Sequence, residues 1–143
     1  MKINIQMPLV LALALFPSTF TCKAQVFPSR ISTYLPSDTN VLSPVPFAGT
    51  LIIDYDFVYV PDTLDVYYDG KDIYSSGLVS GIGQFNIPYG PGDSTSLTIV
   101  MNQDNFAPGT AWAYTPTVVP EPGTLLLLFS GIALIGFFKC RRH

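Results

Sequence analysis

From Gly49 onward the chain alternates with a period of two, the signature of half-buried strands. In 51–60, Leu51, Ile53, Tyr55, Phe57 and Tyr59 fall on one face, and Ile52, Asp54, Asp56, Val58 and Val60 on the other. Leu64 to Tyr68 forms the next strand. The Asp69-Gly70 pair that follows accepts positive φ and predicts a tight hairpin turn. Asp72 to Tyr74 returns, and 77–83 reads as a loop or weak strand. Gln84 to Tyr89 alternates again, with Phe85, Ile87 and Tyr89 on one side. A Gly/Pro turn follows at 89–93. In Ser96 to Asn102, Leu97, Ile99 and Met101 point inward, and 109–114 closes the domain before Pro116. The stretch from Gln25 to Phe47 holds Pro28, Pro36, Pro44 and Pro46 and predicts an extended lead-in with one or two short edge strands, one near Arg30 to Tyr34. No part of this region has helical periodicity. The fold class is all-β, a small jelly-roll-like β-sandwich, with residues 25–48 leading in and 49–117 as the sandwich.

Both ends of the chain break this pattern. Lys2 precedes an apolar run, Leu9 to Phe16, which is too short to span a bilayer, and Cys22 and Ala24 supply small residues at −3 and −1. This describes a secretory signal peptide over residues 1–24, cut between Ala24 and Gln25. The alternatives are an uncleaved anchor, or a lipoprotein acylated at Cys22, against which Thr19, Phe20 and Thr21 argue. At the other end, residues 118–143 carry Pro120-Glu121-Pro122, then an uncharged apolar stretch from Thr124 to Phe138, then Lys139, Arg141 and Arg142. At 1.5 Å per residue that stretch covers about 22 Å of a roughly 30 Å hydrocarbon core. Gly123 and snorkelling cations extend it toward a transmembrane helix. The basic residues act as a cytoplasmic stop, which places the body outside.

Charge sharpens this division. The whole chain is −3, yet five of its seven basic residues lie in the two end segments. Between Gln25 and Pro120 only Arg30 and Lys71 face nine aspartates, a net charge of −7. A surface of that sign repels phosphate backbones, so nucleic acid is excluded as a partner. The two cysteines, Cys22 and Cys140, and the lone His143 are all outside the body. The body therefore has no disulfide, no Ser-His-Asp or Cys-His site and no thiolate or imidazole for zinc. No phosphate-binding or dinucleotide fingerprint is present. The expectation is a non-enzyme without a cofactor. The one catalytic alternative is a small hydrolase using Asp54 and Asp56, which share a strand face.

The Pro120-Glu121-Pro122 motif, placed directly before an apolar segment and a basic end in a chain with an export signal, resembles the PEP-CTERM tail of exported Gram-negative proteins. That tail is also catalogued as the ice-binding protein C-terminal domain. The threonines of the body lack the regular spacing that an ice-binding face needs. The resemblance implies recognition by an exosortase, a membrane cysteine transpeptidase, after insertion in the inner membrane. Delivery to the cell envelope or the extracellular space would follow, with a structural or adhesive role in exopolysaccharide or biofilm. The two prolines keep the motif out of a helix. The body, from Asp54 through Asp69-Gly70, from Ser94 to Asp104 and from Gly109 to Tyr114, resembles a CUB domain and the P domain that follows subtilisin-like proteases. Calcium-binding members of such folds imply Asp54, Asp62 and Asp104 as matching ligands. The same residues also read as turn formers and solubilising charges. Tyr55, Phe57, Tyr59, Tyr67, Tyr68, Tyr89, Trp112 and Tyr114 offer ring faces for sugars, as in a carbohydrate-binding module, or fill the core.

Overall fold

The computed structural model describes residues 23–34, 36–105 and 108–121. Residues 1–22 of the predicted signal peptide and the apolar segment at 124–138 lie outside the described residues. Among the described residues there are nine strands: β1 (Gln25–Val26), β2 (Arg30–Ser32), β3 (Asp38–Leu42), β4 (Gly49–Asp56), β5 (Leu64–Tyr68), β6 (Lys71–Ser75), β7 (Ile82–Tyr89), β8 (Leu97–Met101) and β9 (Trp112–Pro120). They form two antiparallel sheets, and no helix occurs among the described residues. In the first sheet β9 and β4 are central, with β7 on one edge and β1 and β2 sharing the other. The second sheet runs β3-β8-β5-β6. Connections after β2 switch sheets except in the β5–β6 hairpin, which is the connectivity of a jelly roll.

Period-two alternation puts one row from each strand into a single core. Leu51 and Ile53 from β4, Ile87 and Tyr89 from β7, and Trp112, Tyr114 and Val118 from β9 meet Leu64, Val66 and Tyr68 from β5 and Leu97, Ile99 and Met101 from β8. Tyr68 and Tyr89 join the sheets with ring centroids 5.1 Å apart, and Tyr74 meets Phe85 at 5.3 Å. The Asp69-Gly70 turn forms as the sequence predicts, with φ of 53° and 72°. The long strand read to Val60 stops at Asp56. Val58 takes φ of 45°, the chain turns, and Tyr59 points into solvent.

The final strand differs most from the sequence reading. It does not stop before Pro116 but runs through it to Pro120, pairing with β4 along its length from Asp56↔Ala113 to Gly49↔Pro120. A proline in a central strand should cost a ladder bond. Here the Pro116 carbonyl accepts from the Phe27 amide at 2.9 Å, so Pro116 faces the β1/β2 edge. A hydrogen-bonded antiparallel pair exchanges two bonds through the same side of each residue. The missing N–H is thus directed away from β4. It falls where the edge breaks between β1 and β2, and the β4 ladder stays whole.

Candidate functional site

The register brings both ends of the body to one rim of the sandwich. Gln25 pairs with Val118 at the start of β1, and Pro120 pairs with Gly49. Beyond the strand, the Glu121 amide donates to the Ala48 carbonyl at 3.4 Å. Ala24 and Gln25 are both exposed. Pro120 is half-buried and Glu121 exposed, while Pro122, Lys139, Arg141 and Arg142 lie outside the described residues. The seam is tight. A Cβ on Gly49 would sit 2.5 Å from the Val119 carbonyl oxygen and 3.0 Å from the Tyr89 hydroxyl. That hydroxyl is buried without a partner among the described residues. Burial, with Tyr68 and Glu121 adding negative charge nearby, pushes the Tyr89 phenol up to about 12.

The three aspartates matched to a calcium site do not converge. Among the described residues no three His, Cys, Asp or Glu side chains group as metal ligands. Asp54 is exposed on β4, where its Oδ1 accepts from Gln84 Nε2 at 2.7 Å. Asp104 is exposed in the loop after β8. Asp62 alone is fully buried. Its Oδ1 accepts from Asn102 Nδ2 at 2.5 Å and from the Thr110 hydroxyl, and its Oδ2 has no partner among the described residues. These neighbours present hydrogens, not lone pairs. The Asn102 oxygen is itself taken by the Thr63 amide at 2.8 Å and by Asn105 Nδ2 at 3.2 Å. Calcium needs six to eight oxygen ligands, and this donor set does not fit it. The cluster instead ties the loop after β8 to the loop before β5. Asn102 Nδ2 also reaches the Pro36 carbonyl at 2.7 Å, which Trp112 Nε1 contacts at 3.2 Å.

Most of the candidate aromatic residues are core. Phe57, Tyr68, Tyr89, Trp112 and Tyr114 are buried, and Tyr55 stacks on Phe85 with centroids 4.3 Å apart. Tyr67 is half-buried and donates to Gln103 Oε1 at 2.7 Å. Tyr59 is 91% exposed, and so is Tyr34, which sequence reasoning had not singled out as a site.

The more organised surface is the outward face of the first sheet. Asp54 and Asp56 from β4, Gln84 and Ile82 from β7, Ala113 and Thr115 from β9 and Ile31 from β2 share it by register. Gln84 bonds Asp54, Asn86 Nδ2 donates to Gln84 Oε1 at 3.1 Å, and Ser29 bonds Thr115 at 2.7 Å. A shallow depression of about 450 Å³ opens here, with Ile31, Ile82, Gly83 and Ala113 among its lining residues. Sequence reasoning found the Asp54/Asp56 face. It missed Gln84 and Asn86, because only strand pairing puts them beside Asp54.

The fold and the rim define a jelly-roll sandwich whose last strand runs directly into the Pro-Glu-Pro segment. Residues 118–142 match the family model of the PEP-CTERM protein-sorting motif. The chain therefore carries that motif, and the match begins inside β9. No curated protein matches the chain.

Proposed function

We propose that the protein is exported, held in the inner membrane by its C-terminal tail, processed there by an exosortase, and left in the cell envelope or outside the cell as a non-catalytic β-sandwich. The observation that carries this reading is the sorting-motif match at 118–142, continuous with a folded acidic body. A structural or adhesive role in exopolysaccharide or biofilm is the use such delivery suits. Mass spectrometry of the protein from cells with and without the exosortase tests it. The expected result is a shortened body in the first and a membrane-bound precursor in the second. Identical masses, with Leu125 to Phe138 retained in both, would refute it.

A second reading, a carbohydrate-binding module, draws support from the depression on the first sheet. The carboxylates of Asp54 and Asp56 and the hydroxyls of Ser29 and Thr115 that line it suit sugar hydroxyls, and Ile31 and Ile82 suit the apolar faces of the rings. Glycan-array binding that weakens in Asp54→Ala and Asp56→Ala favours this module, and no binding to any glycan removes it.

A further inference from the structure

Of the strands that border the two sheets, β7 alone has an outer edge that is long, regular and free of charge. β2 carries Arg30, β3 carries Asp38, β6 carries Lys71 and Asp72, and β1 is two residues long. β7 runs eight residues without a charged side chain, and among the described residues no strand pairs with its far side. Charge on an edge strand wards off other strands, and an uncharged edge invites them. The direction of its backbone groups follows from the ladder. The Phe57 amide donates to the Gly81 carbonyl at 2.9 Å, in line with the β4–β7 register. Odd-numbered residues of β7 therefore bond β4, and Ile82, Gln84, Asn86 and Pro88 turn their backbone groups outward. Pro88 agrees, since its missing N–H then costs the β4 ladder nothing. Pro116 agrees from the other side of β4, because it faces away from Ile53 and leaves Ile53 to bond Phe85. The edge thus offers three N–H donors, from the exposed residues Ile82, Gln84 and Asn86, with their carbonyls beside them.

We infer that β7 pairs with the β7 of a second copy of this chain, antiparallel about a two-fold axis at Gln84. In this register Gln84 faces the partner's Gln84, and Ile82 faces the partner's Asn86. Every outward N–H is used, and three facing pairs at two bonds each give about six hydrogen bonds. Pro88 falls opposite the partner's Ser80, where Gly81, at φ of 80°, has already turned the chain out of the strand. The register centred at Phe85 would instead set Pro88 inside the ladder and lose a bond at each end. Charge does not oppose the pairing. Asp54 sits one strand in, opposite Gln84. At about 4.8 Å per strand the two Asp54 side chains stand three spacings apart, roughly 14 Å against a Debye length of about 8 Å. Pro120 and Tyr89 both pair with Gly49, so the tail leaves from the Tyr89 end of β7. Antiparallel pairing sends the two tails in opposite directions. Copies anchored side by side in one bilayer are kept apart, whereas released bodies, or bodies on facing surfaces, are joined.

Cross-linking tests the register on the full chain purified from the exporting host, in detergent where the tail is attached, with Cys140→Ser as background. Gln84→Cys is expected to form a disulfide-linked dimer under mild oxidation, because facing hydrogen-bonded residues stand about 5.5 Å apart at Cα. Asn86→Cys, also exposed on this edge, is expected to stay monomeric. The two copies of residue 86 are four residues apart along the strands, about 14 Å. Any other pattern overturns the inference. Gln84→Lys sets like charges against each other on the axis, while Asp54 of the same copy gives each lysine a partner. In sedimentation over a concentration series the parent's mass is expected to rise from one copy towards two. The variant's is expected to stay at one copy with the parent's thermal midpoint. A parent that remains one copy throughout, or a variant that pairs as the parent does, overturns the inference as well. The cysteine pattern decides by itself if Gln84→Lys lowers the midpoint.

Discussion

Gly49→Ala is the sharpest probe of the seam between sandwich and motif. The glycine is not there for an unusual φ, because it lies within a regular strand. It is there for space. The added methyl would come 2.5 Å from the Val119 carbonyl oxygen, 3.0 Å from the Tyr89 hydroxyl and 3.3 Å from Pro120 Cα. Two of these neighbours are backbone atoms of a central strand and cannot swing aside. Either β9 lifts from β4 near Pro120, or Gly49 shifts and disturbs the Gly49↔Tyr89 pair on its other side. Overpacking of this kind costs about 1–3 kcal/mol. For a domain near 100 residues each kcal/mol moves the midpoint by about 4–8 °C, so a fall of roughly 5–20 °C is expected. Thermal unfolding of the processed body, followed by the fluorescence of Trp112, reads it. Thr50→Ala, one residue along on the half-buried outward face, is the control and should move the midpoint far less. A Gly49→Ala midpoint within error of the parent would refute the close approach of β4 to the motif.

Three further outcomes follow from the same geometry. Tyr89 and Tyr114 are each pushed up to about 12, chiefly by burial. A folded value above the unfolded one near 10 means stability is full below pH 10 and lost as pH rises from 10 through 12. Denaturant midpoints that hold level across that window, or a full set of tyrosines ionising near 10 in a 295 nm titration, would contradict this. Asp62→Ala removes the acceptor for Asn102 and Thr110 in a buried site and should cost about 2–4 kcal/mol in denaturant unfolding; a cost under about 0.5 kcal/mol would show that the cluster does not hold the loops. Arg30→Ala breaks the Arg30–Asp38 ion pair at 2.6 Å, but both side chains are partly exposed. That loss should stay under about 1 kcal/mol and shrink further in high salt.

Local signals in the sequence carried the strands but not their neighbours. Alternation placed Leu97, Ile99 and Met101 inside, and Asp69-Gly70 declared its turn, because each depends only on adjacent residues. Pro116 misled because a proline argues against a central strand unless its ring faces an interruption, and that interruption lies in Phe27 to Ser29, some 90 residues earlier. Asp62 looked like its fellow aspartates. Its burial arises from Asn102 and Thr110, about 40 and 48 residues further along, and no local pattern links them. Tyr59 continued the apolar face on paper, but the turn at Val58 releases it to solvent. The tail was legible in order and spacing alone. Its overlap with the fold was not, since that requires knowing which strand Val118 pairs with.

The same pairing bears on the order of assembly. The first sheet has β9 between β4 and the β1/β2 edge, so its centre is the last strand to be made. Until residues 112–120 are available, β4 has only β7 beside it, and β1 and β2 have no partner in the sheet. The second sheet is also only partly covered on its inner face, because the buried Trp112, Tyr114 and Val118 come from β9. A chain crossing a membrane from its N-terminus thus cannot complete the sandwich before Pro120 has emerged. At that moment the apolar run from Thr124 is the next to arrive. On the export reading proposed above, closure of the fold waits for the register of this one strand. Gln25 and Pro120 leave from the same rim of the sandwich, and the loops with Tyr34 and Tyr59 lie at the opposite end.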